Sequence, residues 1–391
     1  MYDIGIVTRK NEGQWGGDLR ALFTIRDGLQ QLGMSVKTAK TAADLRECEF
    51  TFLSNTCLDQ TDNIKTLRHD RRSYGLIGFH EDFLTYYGRM MGFTRTVNAI
   101  VENPHSHQLS IQSLIDNPDI IGYFAQSPPT LQLMNQHVLN GSKLCVANSK
   151  FEETTMRRDC KDANTCSVHW TTGTSDLWGD VKDDDSFLEL TGLKRHEYIL
   201  QVGRIETRKN QLMTVIAARD LGLPIVFVAT RGYQPWYVKI LKKLCLQLDV
   251  DVMIVAEEYT TQTNGNLRVI SMPGNVKLSI NTLKSAINNC TVCVGPAFHE
   301  LPGYTYLEAL HLGCPVVSSE WTSCKEYLQY KRGDGYCGGL INYCVPWNVN
   351  SVTSKIKEMI DNKSKRVKPV NEIFNRTPRM VAEEIINKLQ G

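Results

Sequence analysis

No stretch of this 391-residue chain approaches the roughly 18 apolar residues in a row that a membrane-spanning helix needs. The opening run Ile4 to Val7 is also far too short for the core of a secretory leader. These absences lead to the expectation of a cytoplasmic protein, with room left for a peripheral membrane contact. Low-complexity tracts are missing, and 42% hydrophobic with 22% charged residues is the composition of a globular chain. There is no excess of one charge: 44 Lys+Arg stand against 42 Asp+Glu, a formal net charge of +2. Binding to phosphate backbones needs a concentrated basic face, so nucleic acid is not an expected partner. The densest basic run, Lys363 to Lys368, lies between Asn and Pro residues and reads as a solvated loop. Neither the phosphate loop Gly-x4-Gly-Lys-Ser/Thr nor the dinucleotide fingerprint Gly-x-Gly-x-x-Gly occurs. The 12 cysteines are scattered rather than spaced as a framework, and in a reducing compartment they are expected as thiols. Cys290-x-x-Cys293 has no second ligand pair at zinc-site spacing. Asp183-Asp-Asp185 sits beside Lys182 and Ser186 without a buried strand, and reads as solvated charge rather than a metal site. No metal and no cofactor are expected.

The length is too great for one ordinary core and suits two α/β domains. Ile4 to Val7 reads as a buried strand, followed by a polar Gly-rich loop, Asn11 to Asp18. A helix carrying Leu19, Leu22, Phe23, Ile25, Leu29 and Leu32 comes next and closes at Gly33. With a second strand at Val36 to Thr38 this is the βαβ unit of a parallel sheet. Further short apolar runs lie at Phe50 to Leu53, Leu76 to Phe79, Ile120 to Phe124 and Leu144 to Ala147. A second series has strands at Tyr198 to Gly203, Ile225 to Ala229, Asp251 to Val255, Val276 to Leu278, Thr291 to Val294 and Pro315 to Ser318. Helices alternate with them at Gln211 to Leu221, Trp236 to Leu248, Thr282 to Asn288 and Tyr304 to Leu312. The expected organisation is a Rossmann-like domain over 1–180, a linker over 181–196, a second Rossmann-like domain over 197–377, and a helix over 378–391 free to pack back on the first. Two doubly wound halves would face each other across a cleft, with ligands outside the carboxyl ends of the strands.

The stretch Gly295-Pro-Ala-Phe-His-Glu-Leu-Pro-Gly-Tyr-Thr-Tyr-Leu-Glu-Ala-Leu-His-Leu-Gly-Cys-Pro-Val-Val concentrates the chemistry. Glu300 and Glu308 flank Gly303, at a point where a helix can begin. A helix start offers unpaired backbone N–H groups and partial positive charge, which suit a phosphate. Glu308 then lies about one and a half turns into that helix, and Glu300 lies in the loop ahead of it. Ionised carboxylates only accept hydrogen bonds, so they suit sugar and ribose hydroxyls.

This stretch resembles the Glu-x7-Glu motif of the retaining glycosyltransferases of family 4, enzymes of the GT-B fold, in which a Gly-x-Pro-Val-Val strand follows, as in Gly313-Cys-Pro-Val-Val here. The resemblance implies that Glu300 binds donor-sugar hydroxyls, that Glu308 binds the ribose, and that Leu301, Pro302, Gly303 and Tyr304 cover the diphosphate and sugar. Where the family usually has Phe-Gly, this chain has Pro302-Gly303. Val202-Gly-Arg-Ile-Glu-Thr-Arg-Lys-Asn is similar to the family's Val-Gly-Arg-Leu-x-x-x-Lys segment. That likeness implies that Arg204 and Lys209 clamp the diphosphate, with Arg208 replacing Lys209 if the register differs by one. Cations there would stabilise charge growing on the leaving group.

In the amino-terminal half, Gly16-Gly17 resembles the family's glycine loop near the donor diphosphate or the acceptor. Phe79-His80-Glu-Asp82 resembles its strand-end His-Asp segment, which makes His80 a candidate catalytic residue, with His105 and His107 as competitors for the place. Cys145-Val-Ala-Asn-Ser-Lys and Trp170-Thr-Thr-Gly-Thr-Ser-Asp follow in family order. Base recognition is expected near Thr230-Arg231-Gly232. The implied reaction moves a sugar from a UDP- or GDP-type donor to a glycan, lipid, protein or small-molecule acceptor. It would keep the anomeric configuration and need no metal. Two other readings share the fold: a nucleotide-sugar epimerase or hydrolase using His80 and Asp82, and a non-catalytic sugar-nucleotide-binding protein.

Overall fold

The structure is a computed structural model that describes residues 2–8, 16–56, 59–105, 109–117, 136–170, 184–229, 234–256, 266–271, 278–328, 339–361, 366 and 375–391. The chain divides into two compact units. The first comprises Met1–Phe83, Gln126–Gly173 and Glu372–Gly391; the second comprises Leu84–Ala125 and Thr174–Asn371. Residues 84–125, which sequence order assigns to the first domain, thus fall with the second unit. The physical reason is aromatic packing within that unit: Phe93 lies 6.0 Å from Phe298, and Tyr86 stacks on His299. No described helix is long and apolar enough to cross a membrane.

The first unit holds a six-stranded parallel sheet in the order β2-β1-β3-β4-β5-β6. Its strands are β1 (Tyr2–Val7), β2 (Val36–Ala39), β3 (Cys48–Ser54), β4 (Tyr74–Ile77), β5 (Leu144–Ala147) and β6 (Thr165–Ser167). Winding reverses between β1 and β3, the place where open α/β sheets leave a crevice. The helix Gly17–Gln31 starts beside it, with extended Gly16 as its N-cap. The closing helix Pro378–Gln390 packs on this helix through Val381, Ala382 and Ile385. Gly28 makes that approach possible, since a Cβ there would lie 2.0 Å from the Pro378 carbonyl oxygen.

The second unit holds a seven-stranded parallel sheet in the order β10-β9-β8-β7-β11-β12-β13. Its strands are β7 (Ile199–Val202), β8 (Ile225–Ala229), β9 (Val252–Ala256), β10 (Leu267–Ser271), β11 (Val292–Gly295), β12 (Val316–Ser319) and β13 (Ile341–Cys344). The interior strand β8, Ile-Val-Phe-Val-Ala, is buried at every position, as a parallel strand covered on both faces requires. Three strands carry no apolar run in the sequence and escape notice there: β6, β10 and β13. All three are sheet edges among the described residues. Having a neighbour on one side only, they tolerate the alternating or polar residues that hide them.

The run 181–196, expected as a linker, contains the helix Ser186–Thr191, whose Phe187 is fully buried against Tyr198. Asp184, just ahead of the N-cap Asp185, accepts from the Ser186 backbone N–H, and Asp185 pairs with Arg195, so these acids serve structure. The expected strand at Ile120 to Phe124 lies outside the described residues, as do Asp183, most of the 363–368 run and all of the 276–278 strand but Leu278. The ten described cysteines are buried thiols outside any disulfide.

Candidate functional site

In the second sheet the order reverses between β7 and β11, so the segments leaving these two strands define its crevice. The segment after β7 carries Arg204, Glu206, Arg208 and Lys209; the segment after β11 carries His299 and Glu300. A short 3-10 turn, Thr207–Lys209, ends at Asn210, which adopts a left-handed backbone (φ 60°) that Asn tolerates better than most residues. The buried Asn210 amide donates to the carbonyls of Pro296 (2.9 Å) and Pro346 (2.7 Å), tying this loop to the ends of β11 and β13. Gln201 on β7 donates to the Lys209 carbonyl at 2.7 Å and accepts from the Thr214 hydroxyl. Lys209 is therefore held by its backbone, which leaves its ammonium group to act.

That ammonium donates to the Glu300 carboxylate. Arg208 lies behind the pair. It donates to Glu206 at 2.9 Å and to the His299 carbonyl at 2.9 Å, and its Nη1 stands 3.6 Å from Glu300. Among the described residues Arg204, with 47% of its side chain exposed, reaches only Glu206, at 3.4 Å. Burial works to raise the Glu300 carboxyl, but the charges of Lys209 and Arg208 outweigh it and hold the group below its ordinary value. The site thus contains an ionised carboxylate, 9% exposed, with two cations against it and a third at the rim.

The loop Glu300–Gly303 leads into the helix Tyr304–His311, whose N-cap is Gly303 with φ 81°. Glu300 pairs with Thr322 in a parallel bridge, and the Cys324 thiol donates to the Pro302 carbonyl at 3.1 Å. Tyr306 donates its hydroxyl to the Gly295 carbonyl, 2.9 Å away, pinning the helix to the end of β11. Glu308 is half-buried on the next turn. The structure therefore brings Arg204, Arg208, Lys209, Glu300, Leu301, Pro302, Gly303, Tyr304 and Glu308 to one end of one sheet. It also separates the roles of adjacent residues: Lys209 reaches the carboxylate, while Arg208 braces the loop. Gly232 and His107 lie outside the described residues. Asn210, Gln201 and His299 go unnoticed in the sequence; Asn210 alone leaves a signal there, as an Asn directly before an apolar helix. Among the described residues no group of three or more His, Cys, Asp or Glu is arranged to hold a metal ion.

In the first unit, Gly16 and Gly17 stand at a helix start beside the β1/β3 switch. His80 is placed differently from expectation. Its side chain is fully buried, with Nδ1 2.9 Å from the Thr56 hydroxyl and Nε2 2.8 Å from the Asp159 carboxylate. Asp82 is bound by Arg158 at 2.8 Å. Both ring nitrogens are committed inside the unit, and His80 ties three segments together. His105 is exposed, in the second unit.

Beside His80, Glu152 is completely buried and accepts from the backbone N–H groups of His80 and Asn148, both at 2.6 Å. Burial pushes its carboxyl up to about 7 against those bonds. Because the folded value lies above the ordinary 4.5, ionised Glu152 lowers stability at pH 8, and this loss is relieved as pH falls from about 7 to 4.5. Wild type should therefore gain up to about 3 kcal/mol over that window relative to Glu152→Gln. Urea unfolding at pH 5 and pH 8 measures the difference; an equal gap between the two proteins at both pH values would refute it.

By sequence, residues 197–362 match the family described as Glycosyl transferases group 1. A search of curated proteins finds no match. Solved structures similar over the whole chain include sucrose-phosphate synthase from Thermosynechococcus elongatus, with a TM-score of 0.64 and 12% identity, covering 100% of this chain and 94% of that one. HepE of Anabaena in complex with UDP and glucose has a TM-score of 0.60 and 13% identity, and the likeness spans 100% of both chains. A UDP-forming α,α-trehalose-phosphate synthase from Burkholderia xenovorans has a TM-score of 0.53 and 9% identity, over 98% of this chain and 81% of that one. At such identities the likeness is one of fold. That fold is GT-B, with two parallel-sheet α/β domains.

Proposed function

We propose that this chain is a glycosyltransferase that takes its sugar from a nucleotide diphosphate, retains the anomeric configuration and works without a metal. The observation that carries this reading is the meeting of Lys209, Arg208 and Glu300 at the β7/β11 switch, next to the Gly303-capped helix. Lys209 and Arg204, with the N–H groups of the helix start, take the diphosphate. Glu300 accepts from donor-sugar hydroxyls and Glu308 from the ribose. Without donor, Lys209 and Glu300 satisfy each other; a donor separates them, the phosphates accepting from Lys209 while the sugar hydroxyls donate to Glu300. In transfer, the bond from the anomeric carbon to the phosphate oxygen breaks and the acceptor oxygen bonds on the same face. The leaving phosphate oxygen takes the acceptor's proton, and the cations take up the growing charge.

UDP is the favoured nucleotide, because the structures of HepE hold UDP or UDP-glucose. Lipid, glycan, protein and small-molecule acceptors fit this reading equally. The epimerase reading loses its proposed acid–base pair, because His80 and Asp82 are both engaged within the first unit. Thermal unfolding with UDP, GDP and UDP-glucose tests the proposal. A ligand at about 100 times its dissociation constant stabilises the native state by about 2.7 kcal/mol, so one nucleotide should raise the transition by several degrees. No shift with any of the three, or an undiminished shift in Lys209→Ala, would sink it.

A further inference from the structure

The helix Phe83–Glu102 has no place in the site as the sequence presents it, yet Tyr86 on this helix lies flat on His299. The ring centroids are 5.0 Å apart and the planes differ by 7°. Tyr86 is 3% exposed and His299 1%. His299 is the residue immediately before Glu300. Its carbonyl accepts from Arg208, and the Phe298 N–H donates to the Arg208 carbonyl, both at 2.9 Å. These bonds fix the backbone of the loop on its β7 side. The side-chain face opposite is closed by Phe93 against Phe298 and by Tyr86 against His299.

We infer that Tyr86 is a positioning residue for the donor sugar, holding the Glu300 carboxylate in place by stacking on His299. The inference rests on the role proposed for Glu300 above. Stacked rings favour one orientation of His299, and the neighbouring Cα of Glu300 follows that orientation. Loss of the stack frees the loop to shift while Arg204, Lys209 and the Gly303-capped helix stay in place. The sugar end of the site is disturbed and the nucleotide end is not.

The experiment compares the affinities of UDP and UDP-glucose, by titration calorimetry, for wild type, Tyr86→Ala, Tyr86→Phe and Glu300→Gln. The readout is the ratio of the two dissociation constants, UDP over UDP-glucose, relative to wild type. In Tyr86→Ala this ratio should fall by about tenfold, a loss within the range that small misplacements of binding groups produce, while UDP binding changes by less than about twofold. Tyr86→Phe keeps the ring and should match wild type. Tyr86→Leu, which keeps apolar volume without the ring, replaces the alanine variant should that one fail to fold. An unchanged ratio in the folded variant overturns the inference, and so does an equal weakening of both ligands, the mark of a merely structural role. If Glu300→Gln also leaves the ratio unchanged, the role proposed for Glu300 fails and that of Tyr86 falls with it; should wild type bind GDP and neither of these ligands, the same ratio is taken with GDP and a GDP-sugar.

Discussion

Glu300→Gln is expected to lower donor turnover by about 100-fold, the scale of loss when a reacting sugar is held out of place, while the protein still folds. Gln keeps the shape of the side chain but presents one acceptor oxygen where the carboxylate presents two, and it carries no charge. The carboxylate is worth keeping ionised in a 9% exposed position only because Lys209 and Arg208 stand against it. Removing one partner of a buried pair is costly, commonly about 3–5 kcal/mol. Here Gln can still accept from Lys209, whose side chain is 16% exposed, so a loss of about 1–2 kcal/mol is expected. The acid side has a definite sign. The folded Glu300 carboxyl lies below its ordinary value of 4.5, so its contribution is present above that value and is lost as pH falls further. Wild type and variant should therefore converge in stability towards acid pH. Turnover of UDP-glucose and denaturant unfolding measure the two effects, and full turnover in the variant would remove Glu300 from the site.

Gly303→Ala should be strongly destabilising. The residue has φ 81°, and a Cβ there would stand 2.3 Å from the Cys324 sulphur. A left-handed backbone costs an L-residue about 1–2 kcal/mol, and forcing a methyl into a filled space adds about 1–3 kcal/mol. A total loss of about 2–5 kcal/mol is therefore expected. The strain falls on the loop between Glu300 and the helix start, so nucleotide affinity should drop with stability. Cys324→Ala in the same chain removes the collision and leaves the backbone strain. The double variant should recover at least about 1 kcal/mol relative to additivity, a coupling readable in a double-mutant cycle. Additive losses would show that the sulphur and the new methyl do not meet.

The polar chemistry of the site is legible in the sequence wherever it is local. Glu300, Gly303 and Glu308 lie on one short segment, and Arg204, Arg208 and Lys209 on another, so spacing alone brings each set to a strand end. The buried strands are legible for the same reason: a parallel strand covered on both faces must be an apolar run, as β7, β8 and β11 are. Edge strands such as β13, Ile-Asn-Tyr-Cys, escape that constraint and are invisible to it. His80 shows the opposite failure. A His at a strand end beside two acids looks the same in sequence whether it faces a ligand or, as here, locks Thr56 to Asp159.

The sequence by itself determined the two-part α/β plan and the two charged segments, because periodicity and helix starts are written over a few consecutive residues. Only the tertiary structure decided that Lys209 donates to Glu300 while Arg208, 3.6 Å from the same carboxylate, donates to Glu206 and to the His299 carbonyl. It alone joined Lys209 to Glu300 across 91 positions and laid Tyr86 on His299. Contacts at that separation depend on strand order and packing, and no local pattern of residues carries them.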